Sequence, residues 1–191
     1  DLVATLKTSE TSHEELSGLM VGREVSLARQ HRTSRRPETL LETKGLGVAG
    51  RFNDLSFKVH AGEIVGIGGL AGAGQEDVLR ALFGDHPRVQ GTVELRGKDV
   101  RIESPRDAIS LGLAFAPRNR DRDGLVLNHS VRENVALPLL GRLNLYGFVD
   151  GKKEQRLVDD LVSELRIKCQ RTTDSCGSLS GGNRQKVVLA R

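Results

Sequence analysis

Eight residues near the end of the chain, Leu-Ser-Gly-Gly-Asn-Arg-Gln-Lys at positions 179–186, carry the clearest chemical signal. Ser180, Gly181 and Gly182 come directly before a polar segment that favours a helix. A helix N-terminus presents backbone N–H groups without partners and the positive end of the helix dipole, and both favour an anion. The run therefore predicts an anion site at these three residues, and we add the neighbouring Asn183 as a candidate contact.

A second glycine segment occupies residues 69–77. It follows the short apolar run 64–68, which predicts a buried strand, and it precedes a helical pattern of apolar residues over 78–83. A strand, a glycine loop and a helix in this order form the context of a phosphate-binding P-loop, G-x-x-x-x-G-K-[ST]. The candidate nucleotide contacts in this loop are Gly69, Gly72, Ala73, Gly74, Gln75 and Glu76.

The last two positions of this P-loop pattern carry the wrong chemistry. Gln75 stands where a lysine would reach the phosphates, and Glu76 stands where a hydroxyl would hold magnesium. Two unit charges 4 Å apart interact by about 4 kcal/mol at an effective dielectric near 20, so losing a cation and gaining an anion weakens nucleotide binding. We predict a degenerate loop that keeps the fold without catalysis. The alternatives are weak ATP binding by the loop amides and a direct approach of Glu76 to magnesium.

The run at 179–186 resembles the LSGGQ-type signature of ATP-binding cassette (ABC) ATPases, in the LSGGN spelling common among sugar importers. In that family each ATP lies between the P-loop of one cassette and the signature of the other. The monosaccharide-importer branch carries both cassettes on one polypeptide, and its second cassette combines a degenerate P-loop with an intact signature. The resemblance implies that Ser180, Gly181 and Gly182 contact the γ-phosphate of ATP held, with Mg²⁺, by the partner cassette.

The resemblance also divides the chain. Residues 1–28 resemble the tail of a preceding cassette, although a short amphipathic helix explains them equally well. Residues 29–38 read as a solvated basic linker, with a membrane-surface or nucleic-acid contact as the alternative. Residues 39–191 form a partial nucleotide-binding domain, with a helical subdomain over about 128–180. The basic positions of the linker are Arg29, Arg32, Arg35 and Arg36.

The implied fold class is α/β: a P-loop NTPase-like ABC cassette with an antiparallel β subdomain and a helical subdomain. Strands are expected over 40–59, with a turn at 45–50, and over 91–98. Ser104 and Ser130 each fit a helix N-cap, the latter in a capping box with Glu133. Phe52 is expected in a strand rather than against adenine. An apolar stripe predicts a helix over 152–167, formed by Leu157, Val158, Leu161, Val162 and Leu165.

Residues 113–116 predict a core strand, after which ABC proteins carry a Q-loop whose glutamine senses ATP and magnesium. Here the sequence continues Pro-Arg-Asn-Arg over 117–120, without a glutamine. The sugar-importer branch commonly has Pro-Glu-Asp-Arg at this point, so Arg118 and Asn119 depart even from that variant. Asp121 and Asp123 follow, either in a solvated charged loop or as metal or phosphate ligands.

Composition limits the function classes. The chain has 191 residues, 37% of them hydrophobic, and no apolar run near 18 residues, so membrane association has to come through a partner. The net charge of +4 attracts anions weakly, while an aromatic content of 3% argues against stacking platforms for single-stranded nucleic acid. Two cysteines, Cys169 and Cys176, and five scattered histidines lack metal-site spacing, so we expect no metal ligands and free thiols in a reducing cytosol.

The chain stops at Arg191, within the predicted helix that follows the signature. In ABC ATPases the next strand carries the Walker B aspartate and the catalytic glutamate. We therefore expect a cassette truncated before Walker B, with no catalytic residue of its own and no ATP hydrolysis in isolation, because phosphoryl transfer needs magnesium ligands and a group that positions water.

The implied function is that of the ATP-binding, energising component of an ABC sugar importer at the cytoplasmic face of the bacterial inner membrane. The expected partners are a first cassette on the same polypeptide, a transmembrane permease and, indirectly, a periplasmic sugar-binding protein, without nucleic acid. Three alternatives remain: the second cassette of a nucleoside or autoinducer importer, a non-transport ABC ATPase acting on nucleic acid or ribosomes, and a regulatory module that binds nucleotide without turnover. The non-transport ATPase predicts salt-sensitive nucleic-acid binding.

Overall fold

A hairpin of two antiparallel strands, β1 (Thr39–Val48) and β2 (Phe52–His60), opens the described fold. The computed structural model describes residues 3–21, 36–86, 89–145 and 148–191, so the basic linker prediction falls largely outside these residues. The turn lies at 49–51, later than the sequence suggested, because β1 continues through the glycines at 45 and 47. Phe52 is the first residue of β2, as predicted.

Two further strands complete an antiparallel sheet of order β2-β1-β3-β4. They are β3 (Gln90–Leu95), which pairs with β1, and β4 (Lys98–Val100), which follows a tight turn. Gly91 has a φ of 82°, and a Cβ there would lie 2.4 Å from the Gly45 carbonyl oxygen. The close approach of β3 to β1 at this point therefore requires glycine. The predicted antiparallel β subdomain is therefore present.

The helices follow the local signals in the sequence. The Ser104 hydroxyl oxygen accepts a hydrogen bond from the Asp107 amide, and Ser130 with Glu133 forms the predicted capping box. The Asp150 carboxylate caps the helix that follows it by accepting from two backbone amides. The helices are α1 (His13–Val21), α2 (Gln75–Leu82), α3 (Pro105–Ser110), α4 (Val131–Ala136), α5 (Leu140–Leu143), α6 (Gly151–Glu164) and α7 (Gly181–Ala190). A short ribbon, β5 (Asn144–Leu145) with β6 (Phe148–Val149), lies between α5 and α6.

Helices α4, α6 and α7 share one apolar core. Val131, Val135, Val158 and Val187 are fully buried in it, and Cys176 fills the space beside them. The apolar stripe of α6 faces this core through Val158, as the helical period predicts, although the helix ends at Glu164 rather than Ile167. This packing holds the start of α7, where the LSGG run lies, in a fixed position.

The two strands predicted over 64–68 and 113–116 are not formed. Neither segment pairs with a strand among the described residues, and the Ile64 side chain is 93% exposed. An apolar run becomes a buried strand only when other strands lie beside it, and no described residues supply them here. Val65, Ile67 and Phe115 instead line an apolar cavity of about 250 Å³ against α2. Among the described helices, none has the length and apolar character needed to cross a membrane.

Candidate nucleotide-binding surfaces

The first candidate surface is the N-terminus of α7. Ser180 is the N-cap residue, with extended backbone angles, and its hydroxyl makes no capping bond to the helix. Its Oγ instead accepts from the Asn183 side-chain amide at 3.0 Å, and the Asn183 Oδ1 accepts from the Lys168 backbone N–H at 2.9 Å. The hydroxyl is thus held in place while the first α7 amides, which precede any intrahelical acceptor, stay available for an anion.

A guanidinium lies beside this N-terminus. A Cβ added to Gly181 would come within 2.8 Å of the Arg120 Nη2 atom, whereas a Cβ on Gly182 would meet open space. Glycine at 181 therefore allows Arg120 to approach the α7 backbone closely. The Arg120 charge adds to the positive helix end, which strengthens the attraction for a phosphate.

The second candidate surface is the glycine loop at 69–74. Gly72 and Gly74 have φ values of 83° and 92°, and a Cβ on Gly74 would lie 2.9 Å from the Arg51 carbonyl oxygen. These two positions therefore require glycine for backbone reasons. Helix α2 begins directly after the loop, at Gln75, so the loop-to-helix order expected of a P-loop is present.

The Gln75 side chain spans the glycine loop. Its Nε2 donates to the Leu70 carbonyl oxygen at 2.9 Å, and a Cβ on Gly69 would lie 2.7 Å from the same nitrogen. The neutral amide therefore bridges the two ends of the loop. It supplies no charge to a phosphate, unlike the lysine of a P-loop.

Glu76 points away from the loop, toward Arg80 one turn later in α2. The Glu76 Oε1 accepts from the Arg80 Nε at 3.0 Å and from its Nη2 at 2.8 Å. A guanidinium that donates two charge-assisted hydrogen bonds to a carboxylate binds it strongly. The i, i+4 spacing of the two residues is visible in the sequence, and it was the signal that could have revealed the pair.

The Arg80 guanidinium bonds to three acidic residues, two of them close in sequence and one, Asp123, in a distant segment. Its guanidinium also donates to Asp85 Oδ2 and to Asp123 Oδ2, each at 2.6 Å. The Phe115 ring centroid lies 5.7 Å from the Arg80 Cζ, and the Arg80 side chain is only 21% exposed. These carboxylates raise the pKa of Arg80 further above its ordinary value, chiefly through the hydrogen bonds that Arg80 donates to Glu76, so the guanidinium stays charged.

The loop at 118–123 connects the two candidate surfaces. Most of this loop belongs to a π-helical turn, Arg120–Gly124, and such turns are frequent at functional sites. Asp123 pairs with Arg80 on α2, while the Asp121 Oδ2 accepts from the Arg184 Nη1 on α7 at 2.9 Å. The loop is thus fixed by ion pairs rather than merely solvated, and both aspartates have guanidinium partners.

Residues around Glu76 do not fit a magnesium ion. The Glu76 Oε1 accepts from two Arg80 nitrogens, and the Asp123 Oδ1 accepts from the Arg122 Nε at 3.0 Å. Across the described ranges, no group of three or more His, Cys, Asp or Glu residues could hold a metal. The sequence-based alternatives in which Glu76, Asp121 or Asp123 binds a metal therefore disagree with the geometry, since each carboxylate already has a cationic partner.

A polar pocket of about 500 Å³ lies between α2 and this loop. Arg118 is exposed at its edge and makes no ion pair with any residue that the structure describes. Four arginines against three acids give the lining a formal charge of +1, which suits an anion. The lining residues are Glu76, Arg80, Arg118, Asn119, Arg120, Asp121, Arg122 and Asp123.

Comparison with known proteins gives the chain a family. The sequence profile of the family described as ABC transporter matches residues 52–191. The ribose import ATP-binding protein RbsA of Bacillus subtilis is 42% identical over 99% of this chain, and that of Chromobacterium violaceum is 40% identical over 99%. The aligned region covers 38% of each relative, so the chain spans well under half the length of these curated proteins.

Solved structures agree on the fold. The structure of cbiO1 from Clostridium perfringens, part of an ABC transporter complex, aligns with a TM-score of 0.60 at 18% identity, covering 80% of this chain and 60% of that one. A dimeric ATP-binding cassette in a post-hydrolysis state with ADP and Pi gives the same TM-score and identity, covering 79% and 68%. The α/β cassette fold expected from the sequence is confirmed by these matches. With the profile match and the sequence relatives, they show that the chain belongs to the ABC transporter family.

Proposed function

We propose that this chain is the second ATP-binding cassette of the energising subunit of a sugar importer, and that its LSGG segment completes the ATP site of a partner cassette. The observation that carries the proposal is the combination of an available α7 N-terminus with a glycine loop bridged by its own Gln75. The α7 N-terminus suits a phosphate, whereas the glycine loop lacks the lysine and the hydroxyl that a P-loop uses. A cassette of this kind contributes a signature to the partner rather than a complete site of its own.

The α7 N-terminus supports the first half of the proposal. Ser180, Gly181 and Gly182 would face the γ-phosphate of ATP bound to the partner, with Asn183 holding the Ser180 hydroxyl. Magnesium, brought with that ATP, supplies charge neutralisation at the partner's site. The residues of this chain bind and orient the terminal phosphate, and Arg120 beside Gly181 adds a further positive charge.

The glycine loop supports the second half. Gly69, Gly72, Ala73 and Gly74 would line a degenerate site, in which Gln75 brings no charge and Glu76 is engaged by Arg80. We expect weak nucleotide binding there and no ATP hydrolysis by the isolated chain. The partner cassette, on the same polypeptide, holds the site that turns over.

The names of the relatives support a proposal for the substrate and for the other partners. Both reported relatives carry the name ribose import ATP-binding protein, so ribose is the sugar that we propose. An importer of this kind places its ATP-binding subunit, peripherally, at the cytoplasmic face of the bacterial inner membrane. There it would contact a transmembrane permease that receives sugar from a periplasmic binding protein.

The test measures magnesium-dependent ATP turnover by this chain alone, by a full first cassette alone, and by the two mixed. We expect background activity from this chain and increased activity in the mixture. Ser180→Arg should abolish the increase, because a bulky cation at the N-cap fills the position of the γ-phosphate. Calorimetry of magnesium–ATP in the mixture should show tighter binding that Ser180→Arg removes.

Ser178→Arg is the matched control, since Ser178 is exposed two residues earlier and its hydroxyl only donates to the Ser175 carbonyl oxygen. It should retain the activity increase. Turnover by the isolated chain, or an increase that survives Ser180→Arg, contradicts the proposal.

A further inference from the structure

Arg80 connects helix α2 with the 118–123 loop through hydrogen bonds to two carboxylates. It is one turn into the helix that starts at the glycine loop, and it bonds to Glu76, the residue at the magnesium-holding position of a P-loop. It also bonds to Asp123, in the loop that stands in place of a Q-loop. The two elements that would share a metal ion are therefore joined by one guanidinium.

We propose that Arg80 is the resident cation of the degenerate site and that the adjoining pocket binds the phosphates of a nucleotide without a metal ion. This inference rests on the proposed function, because the pocket lies beside Glu76, on the helix that begins directly after this chain's own glycine loop. The ligand class is a nucleoside polyphosphate free of magnesium, recognised through its phosphates by guanidinium groups.

The geometry explains why a metal ion would not enter. A cation at Glu76 and Asp123 would have to displace Arg80 from bonds of 2.8 and 2.6 Å, and the displaced guanidinium would then lie beside the ion. Two like charges in a partly buried pocket repel strongly. The Arg80 Nη1 also donates to the Asp85 Oδ2 at 2.6 Å, and the Phe115 ring centroid lies 5.7 Å from the Arg80 Cζ. These contacts help to hold the guanidinium in place.

The remaining charges explain why an anion would enter. Arg118 is exposed at the edge of the pocket without an ion pair among the described residues, and Arg122 is exposed beside it, with Asp123 as its partner. Guanidinium groups bind phosphate oxygens in a two-pronged manner, and this does not require a metal. The four arginines of the lining outnumber its three acidic residues, so the phosphates meet a pocket of positive net charge.

The experiment measures ATP binding by the full chain at equilibrium, once with excess magnesium and once with EDTA. We expect weak binding whose Kd differs by no more than about twofold between the two conditions. Inorganic triphosphate should compete with ATP in EDTA, because the phosphates supply the recognition. Binding that requires magnesium, binding in neither condition, or failure of triphosphate to compete would each overturn the inference.

Two variants make the test specific to Arg80. Arg80→Met removes the cation shared by three carboxylates, of which, among the described residues, Asp123 alone keeps another partner, Arg122, so binding in EDTA should weaken by at least about tenfold. Arg101→Met is the matched control, since Arg101 is an exposed arginine with one ion pair, to Glu103, and it should bind as the unmodified chain does. Unchanged binding by a folded Arg80→Met chain would overturn the inference.

Glu76→Gln covers the case in which Arg80→Met does not fold. It removes one negative charge and keeps the guanidinium, so metal-free binding should tighten by a few fold, and weaker binding would count against the inference. A chain that binds ATP in EDTA but does not activate a partner cassette would refute the proposed function while leaving the role of Arg80 intact.

Discussion

Arg184 on α7 and Asp121 in the 118–123 loop form an ion pair of 2.9 Å across 63 positions of sequence. The same loop reaches α2 through the contact of Asp123 with Arg80. In the pair of cassettes that we propose, α7 would belong to the partner's ATP site and α2 to the chain's own. The loop is a physical connection between these two candidate surfaces.

The first prediction concerns Asp121. Asp121→Asn removes the charge that holds Arg184, and since the Asp121 side chain is 37% exposed, solvent screening limits the loss of folding free energy to about 0.5–1 kcal/mol. ATP turnover in a mixture with a first cassette should fall more than stability does, because α7 loses a support at its first turn. Thermal denaturation and turnover, measured on the same samples, check both effects.

Glu103→Gln is the control for this prediction, because it breaks a far more exposed pair, with Arg101. It should change neither quantity. Equal losses in the Asp121 and Glu103 variants would show that the 118–123 loop has no special role in holding α7.

The second prediction restores the P-loop chemistry. The double substitution Gln75→Lys with Glu76→Thr returns a cation and a hydroxyl to the loop. An ammonium and a phosphate charge about 4 Å apart attract by about 4 kcal/mol at an effective dielectric near 20, before the cost of desolvation. We expect ATP binding to tighten by at least about tenfold and to become magnesium-dependent. The phosphates gain an ammonium group at position 75, and Arg80 loses its partner at position 76 to a hydroxyl that can hold magnesium. Calorimetry with magnesium or EDTA measures the change.

Gln75→Ala separates the opening of the loop from the return of the charge. It removes the bond from Gln75 to the Leu70 carbonyl oxygen without adding a cation. A tightening as large as that of the double variant would mean that the Gln75 side chain only blocks the loop.

The third prediction concerns acid stability. The backbone N–H of Ser130 donates to the Glu133 carboxylate and lowers the pKa of Glu133 below its ordinary value, with the Ser130 hydroxyl as a second donor. A lowered folded-state pKa gives stability that is present above the unfolded pKa, about 4.3, and is lost as the pH falls through the folded value. The midpoint of thermal unfolding should therefore drop in this acid range.

Glu133→Gln tests the assignment. Its pH profile should be flatter than that of the unmodified chain below about pH 4.3, because one titrating group of the capping box is gone. The hydroxyl can be tested separately, as Ser130→Ala should cost about 1 kcal/mol at neutral pH. Ser163→Ala, on the exposed side of α6, should be neutral or slightly stabilising. An unchanged acid profile in Glu133→Gln would contradict the prediction.

The fourth prediction concerns the two thiols. Burial raises the pKa of Cys176 to about 11, and its side chain is fully enclosed in the helical core. Cys169 is partly exposed, and burial raises its pKa as well. Since the thiolate is the reactive form, Cys169 should react first with an alkylating reagent near neutral pH, and Cys176 should react only after unfolding.

Mass spectrometry of peptides after timed alkylation measures the two rates. In denaturant both thiols should react equally, which controls for the reagent. Equal rates in the folded chain would mean that the core around Cys176 opens readily.

Local features of the fold could be predicted from the sequence. The caps at Ser104 and Ser130 were predictable because each bonds within four residues, and the β3–β4 hairpin because its turn is marked by a glycine. The two glycine segments identified the family, and the replacement of the P-loop lysine by Gln75 was evident from spacing alone.

The tertiary structure decided what those local features contact. Arg80 meets Asp123 over 43 positions and Arg184 meets Asp121 over 63, and nothing in the local pattern around an arginine selects one distant carboxylate among many. The runs at 64–68 and 113–116 have strand composition, yet they pair with no strand in the described part of the chain, because pairing depends on neighbours rather than on the run itself. Sequence thus determined the motifs, the helix caps and the local spacing of Glu76 and Arg80, whereas the bond of Arg80 to Asp123 formed only when long-range packing brought α2 and the 118–123 loop together.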